Sequence, residues 1–194
     1  GVEVHDEFTI NVAAVADDPI IIWFKPGAIE YGTQLGASQL NATANVEGSF
    51  VYEPVDGTKL NAGVDQLLKV SFVPVDSVNY NAVSAEVRID VNKAVPVVAW
   101  SNPAAVEAGV EIGPDQLNAS SDVAGSFVYD PVAGTAFEVK EGELFSDYLL
   151  KVVFTPLDKD NYVNTEAGVQ LQIIPRSPAN AAPSILIQPP SITA

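Results

Sequence analysis

The feature that most constrains this chain is a sequence unit that occurs twice. The heptapeptide GSFVYEP begins at Gly48, and GSFVYDP begins at Gly125, 77 positions later. The same offset pairs Trp23 with Trp100. A catalytic site is normally built once per domain, whereas a structural unit can be copied along a chain. The repeat therefore predicts two domains of the same architecture.

The second copy carries an insertion. From Leu68 onward the equivalent residues lie 82 positions apart instead of 77 (Leu68 and Leu150), so extra residues stand between Lys140 and Asp147. Loops accept insertions far better than strands do. The stretch KEGELFSD is therefore predicted to be a surface loop that belongs to the second copy alone.

Within each copy apolar and polar residues alternate, as half-buried antiparallel strands require. Further strands are predicted at residues 20–23 and 95–100, at the LNATA and LNASS stretches, and at the two FVY segments. Six or seven short strands per copy indicate a small β-sandwich. The alternating apolar residues are Leu68, Val70, Phe72, Val87, Ile89 and Val91 in the first copy, and Leu150, Val152, Phe154, Val169, Leu171 and Ile173 in the second.

Composition excludes several other classes of protein. The 14 Pro and 13 Gly residues leave little room for long amphipathic helices. A net charge of -16 argues against nucleic acid as a partner, because affinity for phosphates depends on Lys and Arg. No stretch is long and apolar enough for a membrane span. The chain has no Cys, so no disulfide holds either domain. It has no Met either, and we expect Gly1 to lie within a longer polypeptide.

The inventory of catalytic side chains is poor. His5 is the one histidine, and it precedes both copies, so neither copy can assemble a histidine-centred triad. Acidic residues are abundant, but no pair of carboxylates stands out. We expect that the chain is not an enzyme.

The repeated motifs resemble the bacterial immunoglobulin-like repeat that occurs in arrays in large secreted and surface proteins. The first copy carries W-x-x-P, then I-x-Y-G-T, Q-L-N-A-T-A and G-S-F-x-Y-x-P, and finally L-x-V-x-F-x-P-x-D-x-x-N-Y, from Trp23 to Tyr80. The second copy departs where Tyr31-Gly32-Thr33 becomes Ala108-Gly109-Val110. The resemblance implies a structural or adhesive role at a bacterial surface and brings no catalytic residues.

The resemblance and the strand count together predict an all-β chain of two tandem immunoglobulin-like antiparallel β-sandwiches. The first covers residues 19–93 and the second residues 94–175, with a short joint between them. Residues 1–18 resemble the last strand and acidic linker of a cadherin-like module. Residues 176–194 combine a Pro-rich linker with a stretch that resembles the first strand of a further immunoglobulin-like domain.

Asp17 and Asp18 are the candidate metal ligands. With Glu3, Asp6 and Glu7 nearby, they offer the oxygen ligands that Ca²⁺ prefers at a domain junction. The alternative is a solvated acidic linker. The stretch PLDKDNY of the second copy also resembles a calcium loop, but the first copy reads PVDSVNY and lacks the middle carboxylate. A turn capped by Asp and Asn explains both copies and is favoured.

The aromatic residues and two sequons also have two interpretations each. The aromatic side chains could form a stacking platform for sugars, but their recurrence at equivalent positions favours packing between sheets. The sequons that begin at Asn41 and Asn118 are expected to lie inside a strand, as by-products of the repetition. The aromatic residues concerned are Trp23, Trp100, Tyr31, Tyr52, Tyr80, Tyr129 and Tyr162.

The sequence is consistent with three functions. The first is a stalk or adhesive array segment whose partners are neighbouring immunoglobulin-like or cadherin-like domains. The second is a filament subunit, in which residues 2–12 or 184–192 pair with the sheet edge of a neighbouring chain. The third is an accessory module that binds a glycan or another cell-surface ligand.

Overall fold

The computed structural model describes residues 15–177. The chain divides into two compact units, and the boundary in the sequence lies between Ala94 and Val95. Each unit has six strands, and the described residues contain no helix, so none that could cross a membrane. The predicted all-β class, with a sandwich-like arrangement of sheets in each unit, is confirmed. The strands are β1 (Ile21–Ile22), β2 (Ile29–Glu30), β3 (Thr43–Ala44), β4 (Gly48–Glu53), β5 (Gly63–Pro74) and β6 (Val83–Asn92), then β7 (Val98–Ala99), β8 (Val106–Glu107), β9 (Ser120–Ser121), β10 (Gly125–Asp130), β11 (Ser146–Pro156) and β12 (Thr165–Ile174).

Each unit contains a four-stranded sheet and a two-stranded sheet. The large sheets have the strand orders β2-β6-β5-β4 and β8-β12-β11-β10, and the small sheets are β1-β3 and β7-β9. Pairing is antiparallel except at one edge of each large sheet, where β2 runs parallel to β6 and β8 runs parallel to β12. β2 and β8 were not predicted from the sequence, because they form by pairing with the last strand of their unit, which is distant in the chain.

The predicted alternation of apolar and polar residues determines which side chains of the strands form the core. Leu68, Val70 and Phe72 in β5 are completely buried, whereas Lys69 and Ser71 between them are exposed. The central position of β5 between β4 and β6 lets this row contact both neighbours. The same pattern in β11 buries Leu150, Val152 and Phe154. All four alternating segments are confirmed as strands.

Gly48 and Gly125 are required by packing and not by a turn. Each is the first residue of a strand, and neither has a positive φ. A Cβ at Gly48 would overlap the Phe72 ring and approach the Val73 carbonyl oxygen to 2.5 Å, and Gly125 stands in the same relation to Phe154 and Thr155. These glycines are needed because a core phenylalanine lies directly over the backbone.

Several strand boundaries in the structure differ from those predicted from the sequence. The opening strands shrink to β1 and β7, and β3 and β9 begin two residues after Asn41 and Asn118. Both asparagines are therefore exposed residues outside the strands, and the expectation that the sequons lie inside a strand is wrong. The insertion is a loop as predicted, but its last two residues, from Ser146, already belong to β11.

The glycine substitutions Gly48→Ala and Gly125→Ala test the close approach. Each is expected to destabilise its unit by about 1–3 kcal/mol, because the added methyl group must displace a buried phenylalanine ring. The measurement is chemical denaturation of the purified chain. Gly27→Ala is the matched control, since its Cβ would have no neighbour within 4 Å. Equal stability of all three variants would contradict this close packing.

Candidate functional site

The acidic linker is attached to the first unit through its backbone. The Asp17 N–H donates to the Asn79 carbonyl oxygen at 2.8 Å, and the Asn81 N–H donates to the Asp17 carbonyl oxygen at 2.9 Å. The side-chain amide of Asn81 donates to the Asp18 carboxylate at 2.8 Å and to the Ala16 carbonyl oxygen at 3.0 Å. The linker therefore pairs with the turn that precedes β6.

Both linker carboxylates are exposed to solvent. Within residues 15–177, no three acidic or histidine side chains converge in a way that could hold a metal ion. Glu3, Asp6 and Glu7, which the calcium hypothesis adds to Asp17 and Asp18, lie outside the described residues, as does the predicted cadherin-like strand. Calcium binding stays a prediction.

The PVDSVNY and PLDKDNY stretches are capped turns, as the favoured interpretation predicted. The Asp76 carboxylate accepts the Asn79 side-chain N–H at 2.8 Å and the Asn79 backbone N–H at 3.1 Å. Asp158 accepts the same two bonds from Asn161, at 2.9 Å and 3.1 Å. The bonds from Asn79, foremost that of its side chain, lower the pKa of Asp76. Both carboxylates thus serve the backbone of their own turn.

A bulge in β5 is specific to the first unit. The pairing with β6 shifts between Gly63 and Gln66, and Asp65 adopts a left-handed backbone with φ 60°. The Asp65 N–H donates to the Asp90 carboxylate at 2.8 Å, and Arg88 donates to the Asp65 carbonyl oxygen at 2.9 Å. The bond from Asp65, followed by that from Lys25 at 3.1 Å, lowers the pKa of Asp90. These side chains hold the bulge in place.

The aromatic clusters of the two units have nearly the same geometry. The ring of Trp23 meets that of Tyr52 edge-on, with centroids 5.5 Å apart, and Trp100 meets Tyr129 at 5.4 Å. Each indole N–H donates to a carbonyl oxygen of its own unit, Trp23 to Gln39 at 2.9 Å and Trp100 to Gln116 at 3.0 Å. The packing interpretation of these aromatic residues is confirmed, since their polar groups are used inside the unit.

Of the remaining aromatic candidates, Tyr31 lies in a turn, and Tyr80 and Tyr162 directly follow the capped turns, where Tyr80 forms an isolated bridge with Asp17. Their backbone N–H groups donate to carbonyl oxygens of their own unit, Tyr31 to Asn92 and Tyr80 to Asp76.

Sequence analysis missed an aromatic pair beside the insertion. Phe137 and Tyr148 lie with ring centroids 4.4 Å apart, and Tyr148 donates its hydroxyl to the Glu138 carbonyl oxygen at 2.7 Å. The Lys140 ammonium lies 5.7 Å from the centroid of the Tyr148 ring. The first copy has no counterpart of this pair, so the repeat could not reveal it. At the tip of the same loop Leu144 is 86% exposed.

The large sheets each end in a strand with an open edge. β4 and β10 pair with β5 and β11 on one side, and no other described strand pairs with them. Ala124 and Leu157 are a hydrogen-bonded pair, since the Leu157 N–H donates to the Ala124 carbonyl oxygen. Hydrogen-bonded and non-hydrogen-bonded pairs alternate along an antiparallel ladder. The backbone N–H and C=O groups of Phe127 and Tyr129 therefore point away from β11. Among the described residues these outward backbone groups make no hydrogen bond. Each edge can accept a further strand.

Comparison with known proteins finds similarity among solved structures alone. No family model and no curated protein matches the chain. Among solved structures, the chain is similar to a crystal structure of Drosophila N-cadherin EC1-4, with 10% sequence identity and a TM-score of 0.31. The match covers 84% of this chain and 50% of that one, so the chain spans about half the length of that structure.

The Asp76 turn gives a prediction about acid stability. A carboxylate whose folded pKa lies below its ordinary value of 3.8 stabilises the fold above that value, and this contribution is lost as the pH falls through the lower folded pKa. Asp76→Asn should lower the melting temperature at pH 7 and flatten its decline between pH 4 and pH 2. Thermal denaturation across this range is the measurement.

Asp160→Asn is the control for that experiment, because no hydrogen bond to the Asp160 carboxylate is found within residues 15–177. The difference between the two variants should shrink in about 1 M salt, which screens exposed charges. Identical acid profiles for both variants would show that the capping bonds contribute nothing.

The calcium hypothesis has its own test. If Asp17 and Asp18 hold Ca²⁺, millimolar Ca²⁺ raises the melting temperature of the chain, and a chelator reverses the rise. The double variant Asp17→Asn, Asp18→Asn should then lose this response. A melting temperature that Ca²⁺ leaves unchanged in the parent chain favours the solvated linker.

Proposed function

We propose that this chain is a non-catalytic, load-bearing segment of an extracellular or cell-surface array, acting as a stalk or adhesive spacer. The resemblance of both repeats to bacterial immunoglobulin-like domains supports a bacterial surface protein as its source. The observation that carries the proposal is the parallel pairing of β2 or β8, near the start of each unit, with the last strand of that unit.

In both units a strand near the start runs parallel to the last strand. β2 pairs with β6 through Ile29 and Val91, and the Tyr31 N–H adds a bond of 2.8 Å to the Asn92 carbonyl oxygen. β8 pairs with β12 in the same way, and the Ala108 N–H adds a bond of 2.9 Å to the Ile174 carbonyl oxygen. We call each of these two pairings a terminal pair.

A terminal pair suits a unit that is pulled by its two ends. Force drags β2 toward the start of the chain and β6 toward its end, so two parallel strands are displaced along each other. The hydrogen bonds lie across this direction and must break together, whereas bonds loaded one at a time open in sequence. β1 precedes β2 in the chain and belongs to the separate small sheet with β3, so its separation does not open the terminal pair.

Substitution of Ala108 by proline tests this role. Ala108 precedes Gly109, whose φ is 75°, and the Val110 N–H donates to the Glu107 carbonyl oxygen at 3.1 Å. This is the geometry of a type II turn, which favours proline at the Ala108 position. Ala108→Pro therefore removes the donor to Ile174 while the turn is preserved.

Single-molecule stretching of the chain is the measurement. We expect two unfolding events in the parent chain, each lengthening it by roughly 200 Å or more, given about 3.3–3.6 Å per extended residue. In Ala108→Pro one event should move to lower force, and the other, from the unmodified first unit, serves as the internal control. Two unchanged events would contradict the load-bearing role of the terminal pair.

The second candidate function is that of a filament subunit assembled by strand exchange. It is supported by the open edges of β4 and β10, since an unpaired strand edge favours pairing with another chain. Light scattering over a dilution series tests it. A mass equal to that of one chain at every concentration would exclude this candidate and leave the load-bearing proposal untouched.

A further inference from the structure

The open edge of β10 is bordered by an apolar groove. The groove has a volume of about 380 Å³ and lies beside the outward backbone groups of Phe127 and Tyr129. Val128 and Val132 on its rim are 64% and 66% exposed. A strand added to this edge gains backbone hydrogen bonds and buries apolar side chains in the same step. The lining residues are Gly113, Pro114, Leu117, Phe127, Val128, Tyr129, Val132 and Ala133.

The equivalent edge of the first unit is protected by charge. Asp56 stands at the position of Ala133, and its carboxylate lies 3.8 Å from the place that a Cβ of Gly36 would occupy. Gly36 is the counterpart of the groove residue Gly113. A carboxylate beside an edge opposes strand addition, since docking would remove it from water. Of the β4 and β10 edges, that of β10 is therefore the better acceptor.

The outer face of the sheet shows the same difference. In the first unit Lys69 and Glu86 form an ion pair of 3.2 Å across neighbouring strands. In the second unit Lys151 is paired in register with Gly168, which has no side chain. Near it the exposed residues Val128 and Val153 face each other across β10 and β11. At these positions the outer face of the second unit thus lacks the ion pair of the first.

The sequence offers one segment whose chemistry fits this edge. Residues 184–188 read Ser-Ile-Leu-Ile-Gln and lie between Pro183 and Pro189, which cannot donate a backbone hydrogen bond. Five consecutive N–H groups match the six residues of β10. In an extended strand Ile185 and Ile187 share one side.

Charge separates this segment from the other terminal candidate. No charged side chain occurs from residue 177 to residue 194, whereas residues 2–12 contain Glu3, Asp6 and Glu7. In a chain of net charge -16, an acidic donor strand is repelled by its acceptor, and an uncharged one is not. The uncharged segment is the fitting occupant of an apolar groove.

The direction of β12 favours a second molecule as the donor. Asp130, the last residue of β10, pairs in register with Lys151 of β11, which pairs with Gly168 of β12. From Gly168, β12 continues to Ile174, beyond the end of β10. A chain that continues in this direction moves away from its own β10, and it would have to reverse to reach it. A neighbouring copy is free of this constraint.

We propose that the β10 edge of one molecule accepts residues 184–188 of a second copy as an added strand. Ile185 and Ile187 enter the groove over Leu117, and Leu186 lies on the outer face near Val128. This inference rests on the second of the functions proposed above, the filament subunit, and assigns its acceptor and donor.

Cysteine pairs test the assignment directly, because the chain has no Cys of its own. The variants Val128→Cys and Leu186→Cys are mixed in equal amounts under mild oxidation. A disulfide-linked dimer that contains one molecule of each variant, in clear excess over either homodimer, is the expected result. A Val128→Cys homodimer as the main product would instead indicate that two β10 edges pair with each other, and would overturn the proposal.

The double variant Val128→Cys, Leu186→Cys decides between a second molecule and the same one. The proposal expects linked dimers and longer oligomers that reducing agent dissolves. A linked species that remains monomeric would show that residues 184–188 fold back on their own unit, which also overturns the proposal.

Sedimentation of the intact chain over a range of concentrations measures the strength of the contact. Ala133→Asp, which places the residue of the first unit in the groove, should weaken self-association by about tenfold or more and leave the melting temperature nearly unchanged. The pair Ile185→Asp, Ile187→Asp should have the same effect from the donor side. Asp56→Ala is the matched control in the first unit and should not weaken association.

The outcomes separate the assignment from the function on which it rests. If the parent chain never associates, the filament function fails together with the assignment. If the parent chain associates and the isoleucine variant does not, but Ala133→Asp behaves like the parent, the filament function stands and the β10 acceptor is wrong.

Discussion

The apolar row of the central strand is the contact on which each unit depends. From Leu68 in β5 and from Leu150 in β11 onward, every second side chain is buried, and the strand lies between two neighbours of its sheet, so that one row of residues joins three strands. The phenylalanine of this row, Phe72 or Phe154, also covers the start of the adjoining strand so closely that only glycine fits there. With no disulfide available, this packing is the main stabilising contribution to units of this size.

Around that core, each unit satisfies its polar groups internally. The tryptophan indole binds a carbonyl oxygen, the tyrosine hydroxyl accepts the N–H of Ala42 or Ala119, and the aspartate of the last turn binds its asparagine. Residues of this kind can look like a binding platform or a cation site in a sequence, and here they serve the fold.

The two units use one architecture with different surfaces. The first has a bulge held by Asp90, an ion pair on its outer face and a carboxylate beside its open edge. The second has an aromatic pair under its inserted loop and an uncharged groove beside β10. A duplication conserves what the core requires, whereas exposed positions are free to change. Differences between the copies are therefore better indicators of specific function than their similarities.

The sequence alone determined the all-β class, the alternating strands, the inserted loop and the capped turns, because each of these is written in local patterns of period, proline, glycine and Asp-Asn spacing. Tertiary structure decided the rest. The two-residue strands β2 and β8 form only where the last strand offers them a parallel partner, and the need for Gly48 appears only when the Phe72 ring lies over it. The open edge of β10 likewise depends on which strands become neighbours, and pairing between segments distant in sequence leaves no local signature.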